Sequence, residues 1–347
     1  MDHRIKSGQR RVRNGSRQNC RSGHIQTKTS KARARTGSPV RTTDPLLHIW
    51  ILASASILIV LTILMMFNYS FRHWQFLTTP EIPDFSEIIY EIPDIKTPLA
   101  SGVITKANEQ IAFDFSHKHN GYIMAERIEK TGMRMRLIIE TPNKVEYIYD
   151  LHENRGYDVF PLQDGNGKYI IKVFRQHECG LYSKILSTSV DVILADEFSP
   201  FIYPNQLANF TEDSTVVHKA AVLTVDLDDH TDKIAAISDF IATTIIYEEL
   251  PESLNTGYVP DPNEVLQKGR GTCFDISVLT VSMLRSQGIP AKLVFGYVDI
   301  GDRESFYHAW VEVYNGETWQ LLDPTFSIYS PQAILIHQPN YSEEFIF

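Results

Sequence analysis

The stretch that decides how this chain is read is Tyr307–Phe326, YHAWVEVYNGETWQLLDPTF. Apolar and polar residues alternate on both sides of Asn315-Gly316, the pattern of two strands joined by a tight hairpin. With a two-residue type I′ turn at Asn315-Gly316, Tyr314 faces Glu317, Trp310 faces Leu321 and His308 faces Asp323. Opposed residues on one face hold their Cβ atoms about 4.5–5.5 Å apart, near enough for an imidazole to donate to a carboxylate. Pro324 lacks a backbone N–H, so regular pairing is expected to stop just past the aspartate. Taken alone, a His/Asp couple is an ordinary cross-strand pair on a solvated face. Chemistry needs a third residue.

Cysteine supplies it. The chain has Cys20, Cys179 and Cys273, too few for a disulfide framework in 347 residues. Cys273 stands in Lys268–Pro290, KGRGTCFDISVLTVSMLRSQGIP, where two glycines lead into an apolar run ending at Ser286. Gly288 and Pro290 then read as a helix stop. The cysteine is thus expected in the first turn of a helix, where unpaired N–H groups and the positive dipole end favour a thiolate. Phe274, Ile276, Val278, Leu279, Val281, Met283 and Leu284 leave almost no polar face, so the helix should be buried. By itself such a cysteine is most often a small inert hydrophobe. A thiol at a helix tip followed by strands bearing His and then Asp is a different matter. Nucleophile, base and orienting group then appear together.

These residues also carry a family resemblance. GTCFDISVLTVSMLRSQGIPAKLVFGY, YHAWVEVY and WQLLDPTF resemble the three motif blocks of the transglutaminase-like, papain-like cysteine superfamily, over about residues 215–330. The resemblance implies Cys273 as nucleophile, His308 as general base and acid, and Asp323 as the residue orienting the imidazole. It implies an α+β, papain-like fold and acyl transfer from an amide, through a thioester, to water or an amine. No cofactor is implied. The calcium sites of the animal cross-linking enzymes have no matching segment here, and many bacterial members are membrane-anchored peptidases or amidases. The backbone N–H of Cys273 is the expected oxyanion donor. No pattern marks a second; Tyr247 and the stretch Thr256–Leu266, TGYVPDPNEVL, are the neighbouring candidates.

Outward from this core, charge and hydropathy set the organisation. Residues 1–45 hold 12 Lys/Arg against Asp2 and Asp44, a net +10 that leaves −19 on the rest of a chain totalling −9. With almost no large apolar residues this tail is expected to be disordered. A nucleic-acid-binding tail is one reading of such charge, but residues 46–67, LLHIWILASASILIVLTILMMF, favour another. As a helix they cover the ~30 Å hydrocarbon core, and the basic flank before them places the N-terminus in the cytoplasm. An uncleaved signal anchor in the plasma membrane, with the C-terminal bulk outside, is therefore expected, and nucleic acid is not an expected partner.

Residues 68–99 space prolines among acids and read as an extended linker. Residues 100–196 break into short β-rich runs between turn signals, expected to form a β-sandwich. Residues 197–347 then make the catalytic domain. Within it Thr231 is expected to cap a helix with Ile234, Ile237 and Ile241 along one side. The acids Asp226, Asp228, Asp229 and Asp232 lack the glycine and closing glutamate of a calcium loop and read as a solvated loop with helix-cap character. A Cys179–Cys273 disulfide outside the cell would silence the thiol. The sequence therefore predicts a membrane-anchored cysteine hydrolase or acyltransferase acting on peptide or protein amides. The alternatives are protein cross-linking by the same residues and a silent binding module.

Overall fold

The computed structural model describes residues 89–249, 257–301, 305–329 and 339–347. The basic tail, the apolar stretch 46–67 and most of the linker lie outside them. Among the described residues no helix is long and apolar enough to cross a membrane.

Eight strands come first: β1 (Thr105–Ala107), β2 (Ile111–Asp114), β3 (Tyr122–Arg127), β4 (Met135–Glu140), β5 (Glu146–Leu151), β6 (Tyr157–Pro161), β7 (Gly167–Gln176) and β8 (Tyr182–Val192). They form two four-stranded antiparallel sheets, ordered β1-β2-β3-β6 and β5-β4-β7-β8. Alternation does the sorting. In β4, Leu137 and Ile139 are buried while Ile138 between them is partly exposed, and in β7 Ile171 and Val173 repeat the pattern. Inward residues of both sheets, among them Phe113, Ile123, Phe160, Leu137 and Ile171, meet in one apolar core. Each such side chain contributes about 1.5–3 kcal/mol through burial.

The described end of the linker is applied to the helical half of the protein rather than hanging free. Residues 89–99 have no regular structure, yet Ile92 and Ile95 pack on the second core and Tyr90 Oη hydrogen-bonds His218 Nδ1 at 2.9 Å.

That second core surrounds one helix. The helices are α1 (Thr215–Leu223), α2 (His230–Thr244), α3 (Pro262–Lys268), α4 (Cys273–Ser286) and α5 (Pro324–Tyr329). Of the α4 residues only Phe274 escapes full burial, as the lack of a polar face predicts. Thr272 and Asp275 close its N-terminus as a capping box. At the other end Gly288, with φ 74°, takes the left-handed position. Ile289 N donates to Leu284 O and Gly288 N to Arg285 O, which completes a Schellman stop. The α2 helix begins two residues earlier than expected: Asp229, not Thr231, is the cap, accepting from Thr231 N at 2.7 Å. A carboxylate serves better there because its full charge meets the helix dipole. Ile237 and Ile241 are buried as the periodicity requires.

A sheet ordered β13-β12-β11-β14 lies against α4. Its strands are β11 (Ala291–Asp299), β12 (Phe306–Tyr314), β13 (Trp319–Leu322) and β14 (Asn340–Ile346), all antiparallel. Two short strands, β9 (Ile246–Tyr247) and β10 (Arg270–Gly271), pair in parallel and fix the approach to Cys273.

The β12–β13 hairpin forms, but its register differs from the one the sequence suggests. Val311 pairs with Leu322, Glu312 with Leu321, Val313 with Gln320 and Tyr314 with Trp319, so every partner is shifted by two residues. The cause is Asn315. Its Oδ1 accepts from Glu317 N at 2.9 Å and Thr318 N at 2.8 Å, so the asparagine is the corner before the bend rather than a residue within it. Gly316, with φ 101°, takes the first central position. A slip of one would have turned Asp323 to the opposite face; a slip of two preserves the face. Pairing ends at Leu322, and Pro324 opens α5 instead of continuing a strand.

Candidate active site

Cys273 is the first residue of α4 and is buried, with Thr272 as the cap before it. Three local features deliver it there. Gly269 ends α3 in the left-handed conformation, accepting the sharp reversal that a side chain would resist. Arg270 and Gly271 pair with Ile246 and Tyr247, and Glu248 N donates to Gly271 O at 2.8 Å. At Gly271 an added Cβ would lie 2.5 Å from the Asp275 Cβ, so only glycine admits the capping box. As the first residue of a helix, Cys273 keeps a backbone N–H without an intrahelical partner, at the positive dipole end.

His308 is buried on β12, its Nε2 2.8 Å from Asp323 Oδ2. The pair meets diagonally across the hairpin, within the reach of neighbours offset by two on one face. The Cys273 side chain lies close enough to the imidazole to strengthen its hold on a proton; with Nε2 engaged by the carboxylate, Nδ1 is the nitrogen left for sulfur. Burial, the largest single influence, pulls this imidazole down. The hydrogen bonds and charges of Asp323 and Cys273 outweigh it, leaving the ring pushed up to about 9. A charged imidazole is thus the resting form at neutral pH.

Asp323 is held more firmly than a hairpin alone could manage. Oδ1 accepts from Thr325 N at 3.0 Å and Phe326 N at 3.1 Å, which caps α5. Oδ2, besides His308, accepts from Tyr341 Oη at 2.9 Å. Tyr341 arrives from β14, whose register slips between Phe295 and Gly296. This bulge puts Tyr341 opposite Val298 on the face of His308, while Phe345 packs beside the strand-rich core. Gly296 permits it. It lies directly opposite His308, and a Cβ there would stand 2.0 Å from Ser342 O and 2.8 Å from the Trp310 ring. Aromatic rings complete the enclosure. Trp310 stacks near the imidazole at 6.4 Å and 18°, with Phe326 at 5.6 Å and Phe306 edge-on at 5.7 Å.

All three residues singled out from sequence therefore come together. Cys179 does not join them; it is exposed beyond β7, and both it and Cys273 are free thiols, so the 179–273 disulfide is not formed. Tyr341 and Asp275 were not singled out, and Tyr258 only as one residue of the stretch Thr256–Leu266. The pattern Thr272-x-x-Asp275 carries a legible capping signal, but nothing local marks either tyrosine.

Residues 218–324 match the transglutaminase-like superfamily through its core domain, a span holding Cys273, His308 and Asp323. An uncharacterised protein of Mycobacterium leprae (strain TN) is 36% identical over 77 residues, which is 20% of this chain and 27% of that protein. The match thus spans about a quarter of the relative's length. Similar solved structures include a candidate cysteine protease of Cytophaga hutchinsonii, at 16% identity and TM-score 0.35, covering 65% of this chain and 83% of that one. Another is the periplasmic domain of TgpA from Pseudomonas aeruginosa bound to ethylmercury, at 13% identity and TM-score 0.32, covering 59% and 94%.

Proposed function

Because residues 218–324 belong to the transglutaminase-like superfamily, we propose that the chain is a cysteine-dependent acyl-transfer enzyme acting on peptide or protein amides. The observation that carries this reading is the buried imidazole of His308, bonded to Asp323 and close enough to Cys273 for that side chain to strengthen its hold on a proton. In the proposed reaction the Cys273 proton already rests on His308, a thiolate–imidazolium pair, and the sulfur attacks the amide carbon. The C–S bond forms as the carbonyl π pair moves to oxygen, where the Cys273 N–H donates. The C–N bond then breaks, the amine leaves with the proton from His308, and a thioester remains. Water or an amine attacks next; His308 takes its proton, the C–S bond breaks, and the thiolate–imidazolium pair is restored. Asp323 keeps the ring oriented and balances its charge throughout.

Residues 46–67 read as a single span with the basic tail on the cytoplasmic side, which would set this domain outside the plasma membrane, facing surface proteins or peptides. The test is turnover by the full chain of a peptide mixture, with and without an added primary amine, followed by mass spectrometry. Cleavage products or amine adducts that vanish in Cys273→Ala and persist in Cys179→Ala are expected. Turnover surviving in Cys273→Ala would overturn the reading.

A further inference from the structure

The strand-rich half of the protein has no role in the chemistry above, and Tyr258 stands exposed beside the candidate site, 39% accessible. Between them runs one continuous set of contacts. Asp275, two residues beyond Cys273, is buried and bound from three directions. Thr272 N and Thr272 Oγ1 each donate to its Oδ2 at 2.7 Å, and Tyr258 Oη donates to its Oδ1 at 2.5 Å. The Tyr258 ring also meets Phe274 edge-on at 6.3 Å. Burial first, and then the bond and charge of Asp275 with the charge of Glu264, hold the phenol well above its usual range, so it remains a donor.

The residue before it, Gly257, has φ +94° and is seated on the strands. A Cβ there would lie 2.9 Å from Asp150 Oδ2 and 3.1 Å from Arg134 Nη2. These two form an ion pair beside β4 and on β5, with Arg134 Nε donating to Asp150 Oδ1 at 2.8 Å. The positive φ together with that close approach favours glycine here.

We propose that Tyr258 is a positioning residue for Cys273, acting through Asp275, and that the Arg134–Asp150 pair of the strand-rich half holds Tyr258 in place by seating Gly257. The physical logic is one of charge. A carboxylate in the first helical turn suits the dipole but opposes a thiolate two residues away. Three donors confine that charge and aim it away from sulfur; they also keep the Thr272–Cys273 peptide, with its unpaired N–H, in one orientation. Removing the phenol oxygen frees Oδ1 of its donor. The strand-rich half thereby becomes a buttress of the site rather than a spacer.

This inference rests on the proposed role of Cys273, and its test separates the two. The measurement is the pH profile of iodoacetamide alkylation at Cys273 in the full chain, mapped by mass spectrometry. Wild type, Tyr258→Phe, Gly257→Ala, His308→Ala and the control Tyr297→Phe are compared. Tyr258→Phe and Gly257→Ala should slow alkylation at neutral pH about three- to tenfold and move the rising limb to higher pH, with Tyr297→Phe unchanged. A profile that moves for His308→Ala but not for Tyr258→Phe overturns the positioning role alone, even if Tyr258→Phe lowers the melting temperature. Identical profiles for all five overturn both readings. Gly257→Ala carries a strained backbone, so the deciding variant is Tyr258→Phe, which removes one oxygen and keeps the ring.

Discussion

His308 and Asp323 are diagonal neighbours across the β12–β13 hairpin, and their side chains meet at 2.8 Å although their backbones are not a directly opposed pair. The contact survives the two-residue slip because Asp323 is fixed by its own environment, as cap of α5 and acceptor from Tyr341. Asp323→Asn keeps a capping oxygen but removes the charge that steadies the imidazolium. It should cut kcat by roughly three to four orders of magnitude with a small change in melting temperature. Steady-state kinetics beside thermal unfolding would separate this from a folding defect.

The alkaline stability of the protein should depend on His308. Its folded-state value, about 9, lies above the ordinary 6.5. The stabilisation is therefore fully present below about pH 6.5 and fades as pH rises through about 9, amounting to on the order of 3 kcal/mol. Denaturant unfolding at pH 6 and pH 10 should show that loss in wild type and much less of it in His308→Gln. A wild-type stability that is flat, or rises, across this window contradicts the assignment.

Tyr341→Phe removes one donor from Asp323 and leaves the ring in place. A lost hydrogen bond to a charged acceptor costs about 1.5–3 kcal/mol. Part of that should appear as roughly a tenfold fall in kcat, because Oδ2 also serves His308. If only stability falls and kcat holds, Tyr341 is a structural tie and nothing more.

Gly296→Ala tests the strand that carries this tyrosine. Its Cβ would meet Ser342 O, a backbone atom, at 2.0 Å, so β14 must move. Thermal unfolding should report a destabilisation of about 1–3 kcal/mol, and activity should fall with it as Tyr341 leaves Asp323.

Much of the site could be read from residue order because its determinants are local. Two glycines, a threonine cap and a largely apolar run give α4 from Cys273 to Ser286, where the sequence sets the cysteine at or near the first turn and the end at Ser286. The face shared by His308 and Asp323 was legible because side chains alternate with period two, which an error of two in register leaves intact. That error was itself local: whether Asn315 sits in the bend or accepts from the N–H groups beyond it depends on a balance no alternation reveals. The long-range parts were not legible. Tyr341 is 18 residues from Asp323 and reaches it only through the β14 bulge, and Tyr258 is 17 residues from Asp275. Neither separation leaves a periodic trace. The apolar run 46–67 and the basic tail have the opposite character, with a plain compositional signal lying outside the described residues.

The proposed chemistry stands or falls on the activation of Cys273 by His308. The most direct measurement is the second-order rate of Cys273 alkylation at neutral pH in wild type and His308→Ala, with the label mapped and Cys179 serving as the internal, exposed reference. Cys273 is expected to react at least tenfold faster in wild type than in the variant while Cys179 is unchanged. Equal rates at Cys273 in the two proteins would contradict that activation.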